Sequence, residues 1–165
     1  MSDVEYAEFA DLQIEEYARQ KARAGDWSAE EALDRSAAEH ADLKRDRLRT
    51  AGHRFFTAVD DSGRRLGWIW EGPPPPSARP GPRRWLYQIT VVERLRGRGF
   101  GRGMLDALVA RLARDGVDRL ELHVFKWNEV AIALYRSAGF EVCDEGPTDL
   151  NLGRDLRPRS RTPGA

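Results

Sequence analysis

Cysteine is almost missing from this 165-residue chain: Cys143 stands alone, so no disulfide can close within it and a reducing compartment is expected. Net charge is missing as well. Lys and Arg number 27, as do Asp and Glu, which argues against a nucleic-acid partner because such domains carry a basic excess. No apolar run approaches the roughly 20 residues that span a bilayer, so no membrane partner is expected. The opening residues, Met1 to Phe9, have neither the basic nor the apolar segment that directs secretion. A cytoplasmic location follows as the expectation, and no metal site is expected.

What the chain does have is a 41% hydrophobic content spread along its length, the composition of one globular domain. Residues 1–50 are acid-rich and read as helices, with Phe9, Leu12, Tyr17 and several alanines on one face, Gly25 as a stop, and Ser28 and Glu31 spaced as a capping box. From His53 the period changes to two. The runs flanking Asp61-Ser62-Gly63 read as a hairpin. The proline-rich stretch from Pro73 to Pro82 reads as polyproline II, either a surface connection or one wall of a cleft. Then come a strand "WLYQITVVE", an amphipathic helix carrying Met104, Leu105, Leu108, Val109 and Leu112, and a strand "RLELHVF". A second amphipathic helix closed by Gly139, a strand "FEVC" and a weak strand "TDLNLG" complete an α/β order with a partly parallel sheet.

Between the first of these strands and its helix lies "LRGRGFGRGML", residues 95–105. A strand, a glycine-rich turn and a helix start make an anion site, because backbone N–H groups and the helix dipole converge where glycine admits a ligand. The ligand should therefore carry phosphate. No Gly-Lys followed by Ser or Thr is present, which removes the P-loop. Dinucleotide spacing fails in both registers: Gly97 and Gly99 meet Arg102 at the last position, and Gly99 and Gly101 meet Met104.

What remains is Arg96-x-x-Gly99-x-Gly101, followed by Asn128, Tyr135, Gly139 and Phe140 in "WNEVAIALYRSAGF". In this order the two motifs resemble the GNAT superfamily of N-acetyltransferases over roughly residues 53–153. The resemblance implies a GNAT fold: a mixed central sheet, an N-terminal helical pair, helices on both faces, and a splay between the central parallel strands, the fourth and fifth of the family's order. It implies one N-acetyltransferase domain, residues 1–156, with 1–50 as a helical acceptor-side region, 53–153 as an acetyl-CoA-binding core and 157–165 as a disordered basic tail.

The same resemblance implies acetyl transfer from acetyl-CoA to a primary amine of a small molecule or peptide, by direct attack in a ternary complex. Arg96, Gly97, Arg98, Gly99, Phe100, Gly101 and Arg102 are then the pyrophosphate loop, with Asn128 and Tyr135 also on the cofactor. Ile89, Thr90 and Val91 pair with the pantetheine arm like an added strand, and Tyr135 is the general acid for the departing thiolate. The base is open. Gln88 and Thr90 stand on the strand where many members carry Glu, and neither accepts a proton usefully. His123 aligns with the catalytic Glu of ribosomal-protein N-terminal acetyltransferases; Glu121 shares its face by period two, and Glu93 acting through water is a further candidate. Relatives with such a helical pair begin with a strand, so Ser2 to Glu5 is either its remnant or the strand is missing. A sheet edge left open in this way suits a homodimer, which is the partner expected besides acetyl-CoA and the amine. A non-catalytic acyl-CoA-binding or sensor module is the second functional reading.

Overall fold

The chain enters its first helix at a residue that satisfies the helix's own loose ends. In the computed structural model, which describes residues 1–41, 46–75 and 82–156, Ser2 caps α1 (Asp3–Ala24). Its hydroxyl accepts the Glu5 amide, and the Glu5 carboxylate in turn accepts the Ser2 amide. Ser2 to Glu5 is thus a helix start rather than the remnant of a strand. Gly25 ends α1 with φ 80°, the left-handed conformation that glycine adopts without cost. The buried stripe runs through Tyr6, Phe9, Ala10, Gln13, Ile14 and Ala18. Leu12 falls beyond its rim and is 41% exposed, so the apolar face expected to include it is rotated toward Ala10 and Ile14.

Helix α2 (Ala32–Glu39) is tied to α1 by the Ser36 hydroxyl, which donates to the Ile14 carbonyl at 2.7 Å. The capping box expected at Ser28 and Glu31 is half made. Ser28 Oγ accepts the Glu31 amide at 3.3 Å, but that turn precedes the helix, and Glu31 at the cap position adds no side-chain bond.

Strands β1 (Arg54–Val59) and β2 (Arg65–Gly72) form the expected hairpin, its turn held by Asp60 Oδ1, which accepts the amides of Ser62 and Arg64. Strand β3 (Arg83–Val91) continues antiparallel to β2 and stops two residues before Glu93, which instead opens a short 3-10 turn, Glu93–Leu95. Helix α3 (Phe100–Arg114) crosses to β4 (Arg119–Phe125), which lies parallel to β3. After α4 (Glu129–Ser137) come β5 (Glu141–Glu145) and β6 (Asp149–Asp155), giving the order β1-β2-β3-β4-β6-β5. The segment that looked weakest as a strand is therefore interior, and β5 takes the edge.

Alternation along β4 divides the molecule. Leu120, Leu122 and Val124 enter the main core with Met104, Leu105, Leu108, Val109 and Leu112 of α3. Glu121, His123 and Phe125 point to the opposite face, where farther along the sheet Tyr6, Phe9 and Ala10 of α1 pack on Phe55, Trp68 and Trp70. The polyproline reading falls largely on residues 76–81 and the basic tail on 157–165, both outside the described residues. Among the described residues, no helix is long and apolar enough to cross a membrane.

Candidate active site

Parallel pairing between β3 and β4 lasts only from Arg83 opposite Arg119 to Leu86 opposite Leu122. Beyond that point β3 stays with β2 as far as Val91, while β4 stays with β6 as far as Phe125, so the two strands part. A bulge in the β2–β3 register between Trp70 and Glu71 makes Tyr87 the extra residue, and a bulge bends the strand that carries it. Tyr87 is also the first residue past the last β3–β4 pair. Along the β3 edge from Tyr87 to Val91, the backbone groups of Ile89 and Val91 therefore turn toward the gap, while those of Thr90 between them face β2.

The glycine loop closes the same end of the sheet. Gly97 and Gly99 have φ 73° and 81°, a conformation open chiefly to glycine, and a Cβ on either would meet nothing within 4 Å. Gly99 is the N-cap of α3 and offers no side chain to it. The amides of Arg102 and Gly103 both donate to the Gly99 carbonyl, at 3.0 and 3.2 Å, while those of Phe100 and Gly101 belong to the first turn, where a helix has no internal acceptors. A bare, positively polarised helix start thus faces open space. Arg96 Nε donates to the Val91 carbonyl at 3.2 Å, fastening the loop to β3. Arg102 reaches sideways, to Asp106 at 2.8 Å and to the Ser137 carbonyl at 2.9 Å, so it joins α3 to the end of α4. Arg98 is exposed.

Asn128 caps α4, its Oδ1 accepting the Ala131 amide at 3.2 Å. Two turns on, Tyr135 is buried beside Phe140, and burial pushes its phenol up to about 12. His123 lies on β4 immediately past the point where the strands part, with Nε2 2.8 Å from Asp149 Oδ2. Glu121 is held by Arg83 at 2.7 Å and Arg119 at 2.8 Å and is buried, an anchor between strands. Glu93 is exposed on its turn, and its carbonyl accepts the Arg96 amide at 3.0 Å.

The model of the acetyltransferase (GNAT) family matches residues 12–140. The chain belongs to this family. It is 29% identical over 156 residues to the uncharacterized N-acetyltransferase YdgE of Bacillus subtilis (strain 168), covering 94% of this chain and 95% of that one. A mycothiol acetyltransferase of Propionibacterium freudenreichii is 31% identical over 118 residues, 72% of this chain and 34% of the relative. Among solved structures, the putative acetyltransferase YycN of Bacillus subtilis superposes with a TM-score of 0.82 at 28% identity, covering 90% of this chain and 93% of that one. The PaiA N-acetyltransferase of Thermoplasma acidophilum, solved with coenzyme A, shares the fold with a TM-score of 0.67 at 16% identity, over 94% of this chain and 95% of that one.

In this GNAT-type N-acetyltransferase the far side of β4 carries side chains that the motifs did not announce. Phe125 stacks on Trp127 with ring centroids 5.7 Å apart, and the Arg23 guanidinium lies 4.1 Å from the centre of the Trp127 ring. The Lys21 ammonium sits within 5.9 Å of the rings of Tyr17, Trp27 and Phe125 and bonds Asp26 at 2.8 Å. The end of α1 thus roofs the end of β4 beside His123. Asp149 was visible in the sequence only as part of a strand. Its meeting with His123 depends on the β4–β6 register, for which a linear pattern holds no signal.

Proposed function

We propose that the chain binds acetyl-CoA with its pyrophosphate on the loop Gly97 to Arg102 and transfers the acetyl group to a primary amine by direct attack. The observation that carries this reading is the gap between β3 and β4, opening beside a glycine-capped helix start. An extended pantetheine arm can pair with the free β3 edge from Ile89 to Val91 as an added strand, while the first amides of α3 and the guanidinium groups of Arg96 and Arg98 take the phosphates. The thioester then lies where the strands part, within the reach of β4. There the amine nitrogen attacks the carbonyl carbon, the C–S bond breaks, Tyr135 protonates the leaving thiolate, and His123 removes the proton of the attacking amine. Glu93, out on its turn, reaches the reacting amine only through water. No metal takes part in this scheme.

Calorimetry with acetyl-CoA tests the placement. Gly99→Val forces a branched side chain into the left-handed region and into the space the phosphates need, so affinity should fall at least about tenfold. Gly101→Ala should bind within about threefold of the parent, because its Cβ would meet Val91 and Leu134 at 3.5 and 3.6 Å, ordinary contact distances. Undiminished affinity in Gly99→Val places the phosphates elsewhere. An acetyl-CoA consumption screen over polyamines, aminoglycosides, amino acids and peptide N-termini names the acceptor, and turnover on any of them separates an enzyme from a non-catalytic acyl-CoA-binding module.

A further inference from the structure

The imidazole of His123 is held at one nitrogen. Nε2 lies 2.8 Å from Asp149 Oδ2, and the side chain is 38% exposed, with its ring edge-on to Phe125 at 5.0 Å. In the β4–β6 register Asn151 stands opposite His123 and Asp149 stands opposite Phe125, so the pair is a diagonal contact across two antiparallel strands. Asp149 is in turn seated from behind. A Cβ on Gly146 would stand 2.0 Å from Asp149 Oδ1, and the Gly146 amide donates to the Asp149 carbonyl at 3.0 Å. The turn between β5 and β6 is bare where the carboxylate rests.

A carboxylate only accepts hydrogen bonds, so the hydrogen of the neutral ring belongs on Nε2 and the lone pair on Nδ1. We infer that Asp149 is a positioning residue that fixes His123 in the Nε2–H form and makes Nδ1 the atom that takes the acceptor amine's proton. This rests on the reading of His123 as the base. Nδ1 gains the proton as the amine nitrogen bonds the carbonyl carbon and the sulfur departs with the C–S electron pair. Tyr135 supplies the proton that the sulfur takes up. The imidazolium so formed is stabilised by the Asp149 carboxylate until solvent removes its extra proton, and solvent returns a proton to the Tyr135 phenolate.

Asp144 of β5 stands opposite Asn151 on the same face, one strand beyond the pair. Glu121, on the same face of β4, is held by Arg83 and Arg119; Lys126 bonds Glu145 at 2.6 Å; Lys21, which reaches the Phe125 ring from α1, bonds Asp26. Asn151 is neutral, and the Tyr87 phenol across the gap donates to the Pro73 carbonyl at 2.9 Å.

The test needs no substrate for its first arm. Long-range proton–nitrogen spectra of the 15N-labelled full chain, recorded with the ring neutral, report the tautomer of His123. The parent should show Nε2–H. Asp149→Asn should populate both tautomers, since its side-chain amide can either donate to Nε2 or accept from it. In the second arm, kcat/KM for acetyl-CoA with the fastest amine of the screen is followed against pH. Asp149→Asn should lower the plateau about tenfold, with KM for acetyl-CoA unchanged. A parent ring in the Nδ1–H form, or an Asp149→Asn protein with tautomer and plateau both at parent values, overturns the inference. His123→Gln separates the two levels: a limb that survives in it removes His123 as the base and Nδ1 with it, whatever the spectra show of the pairing.

Discussion

A phenol sealed from water keeps its proton, and Tyr135 is such a group. Burial raises its pKa to about 12, so through the neutral range it stays in the form that donates. The structure also packs its ring against Phe140 within the main core, so truncation would confuse chemistry with packing. Phe at position 135 keeps the ring and deletes only the donor. If the phenol protonates the thiolate, kcat in Tyr135→Phe should drop about 10²-fold under conditions where chemistry limits turnover, with KM for acetyl-CoA little changed and the urea midpoint near the parent's. An unaltered kcat returns Tyr135 to a purely structural role. The lone Cys143 has no comparable setting; its sulfur lies exposed, 2.9 Å from an Arg119 nitrogen.

At the scale of elements, one carboxylate joins strands from both sides. Glu71 of β2 is fully buried and bonds Arg54 of β1 and Arg84 of β3, the latter at 2.5 Å. Arg54 extends the chain of charges to Asp115 at the end of α3, 2.6 Å away. Removing a partner from a buried ion cluster leaves uncompensated charge, which costs about 3–5 kcal/mol. Glu71→Ala should therefore lower the unfolding free energy measured in urea by up to that margin, Arg54 keeping Asp115 as a partner, whereas Glu71→Gln, which keeps the shape and one acceptor, should lose less. Equal and small losses in both would show that the cluster is not under strain from desolvation. No pattern in the sequence marks Glu71 as buried, since its partners come from other strands. The same holds for Asp149, and for Lys21 among its aromatic rings. By contrast, the loop from Arg96 to Arg102 and the pair Asn128 and Tyr135 were legible, because their geometry is set by neighbours within a turn or two: glycine at positive φ, a cap three residues from its amide, a stripe on one helix. The order of strands was half legible. Parallel pairing follows from strand, helix and strand in succession, whereas the interior place of β6 depends on contacts that its own polar alternation does not announce.

For the molecule as a whole, stability should depend on acid through a histidine that no step of the proposed chemistry uses. His53 precedes β1 with Nδ1 accepting from Trp70 Nε1 at 2.8 Å, a role that a protonated Nδ1 cannot fill. Burial first, and then the charge of Arg84, hold its pKa below the ordinary value, with Glu71 pulling the other way. A Cβ on Gly72 would stand 2.4 Å from that same nitrogen, so the ring is seated against bare backbone. A depressed pKa in the folded state means that the unfolded chain binds the proton more readily. The contribution of His53 is then complete above the unfolded value of about 6.5 and is lost as pH falls through the folded one. Melting temperatures measured from pH 8 to pH 5 should decline on the acid side, and His53→Gln, which can still accept from Trp70 but does not titrate, should flatten that decline. A slope identical in the two proteins assigns the acid sensitivity to other groups.

The position of β6 bears on how the chain is made. A ribosome delivers β4, then β5, and only afterwards the strand that separates them. Until residues 149–155 emerge, β4 has an open flank and β5, with all five residues exposed even in the finished fold, has no sheet to join. The carboxylate that meets His123 arrives in that same late segment, so the half of the sheet bearing this pair is completed after the glycine loop and both of the later helices have already left the ribosome.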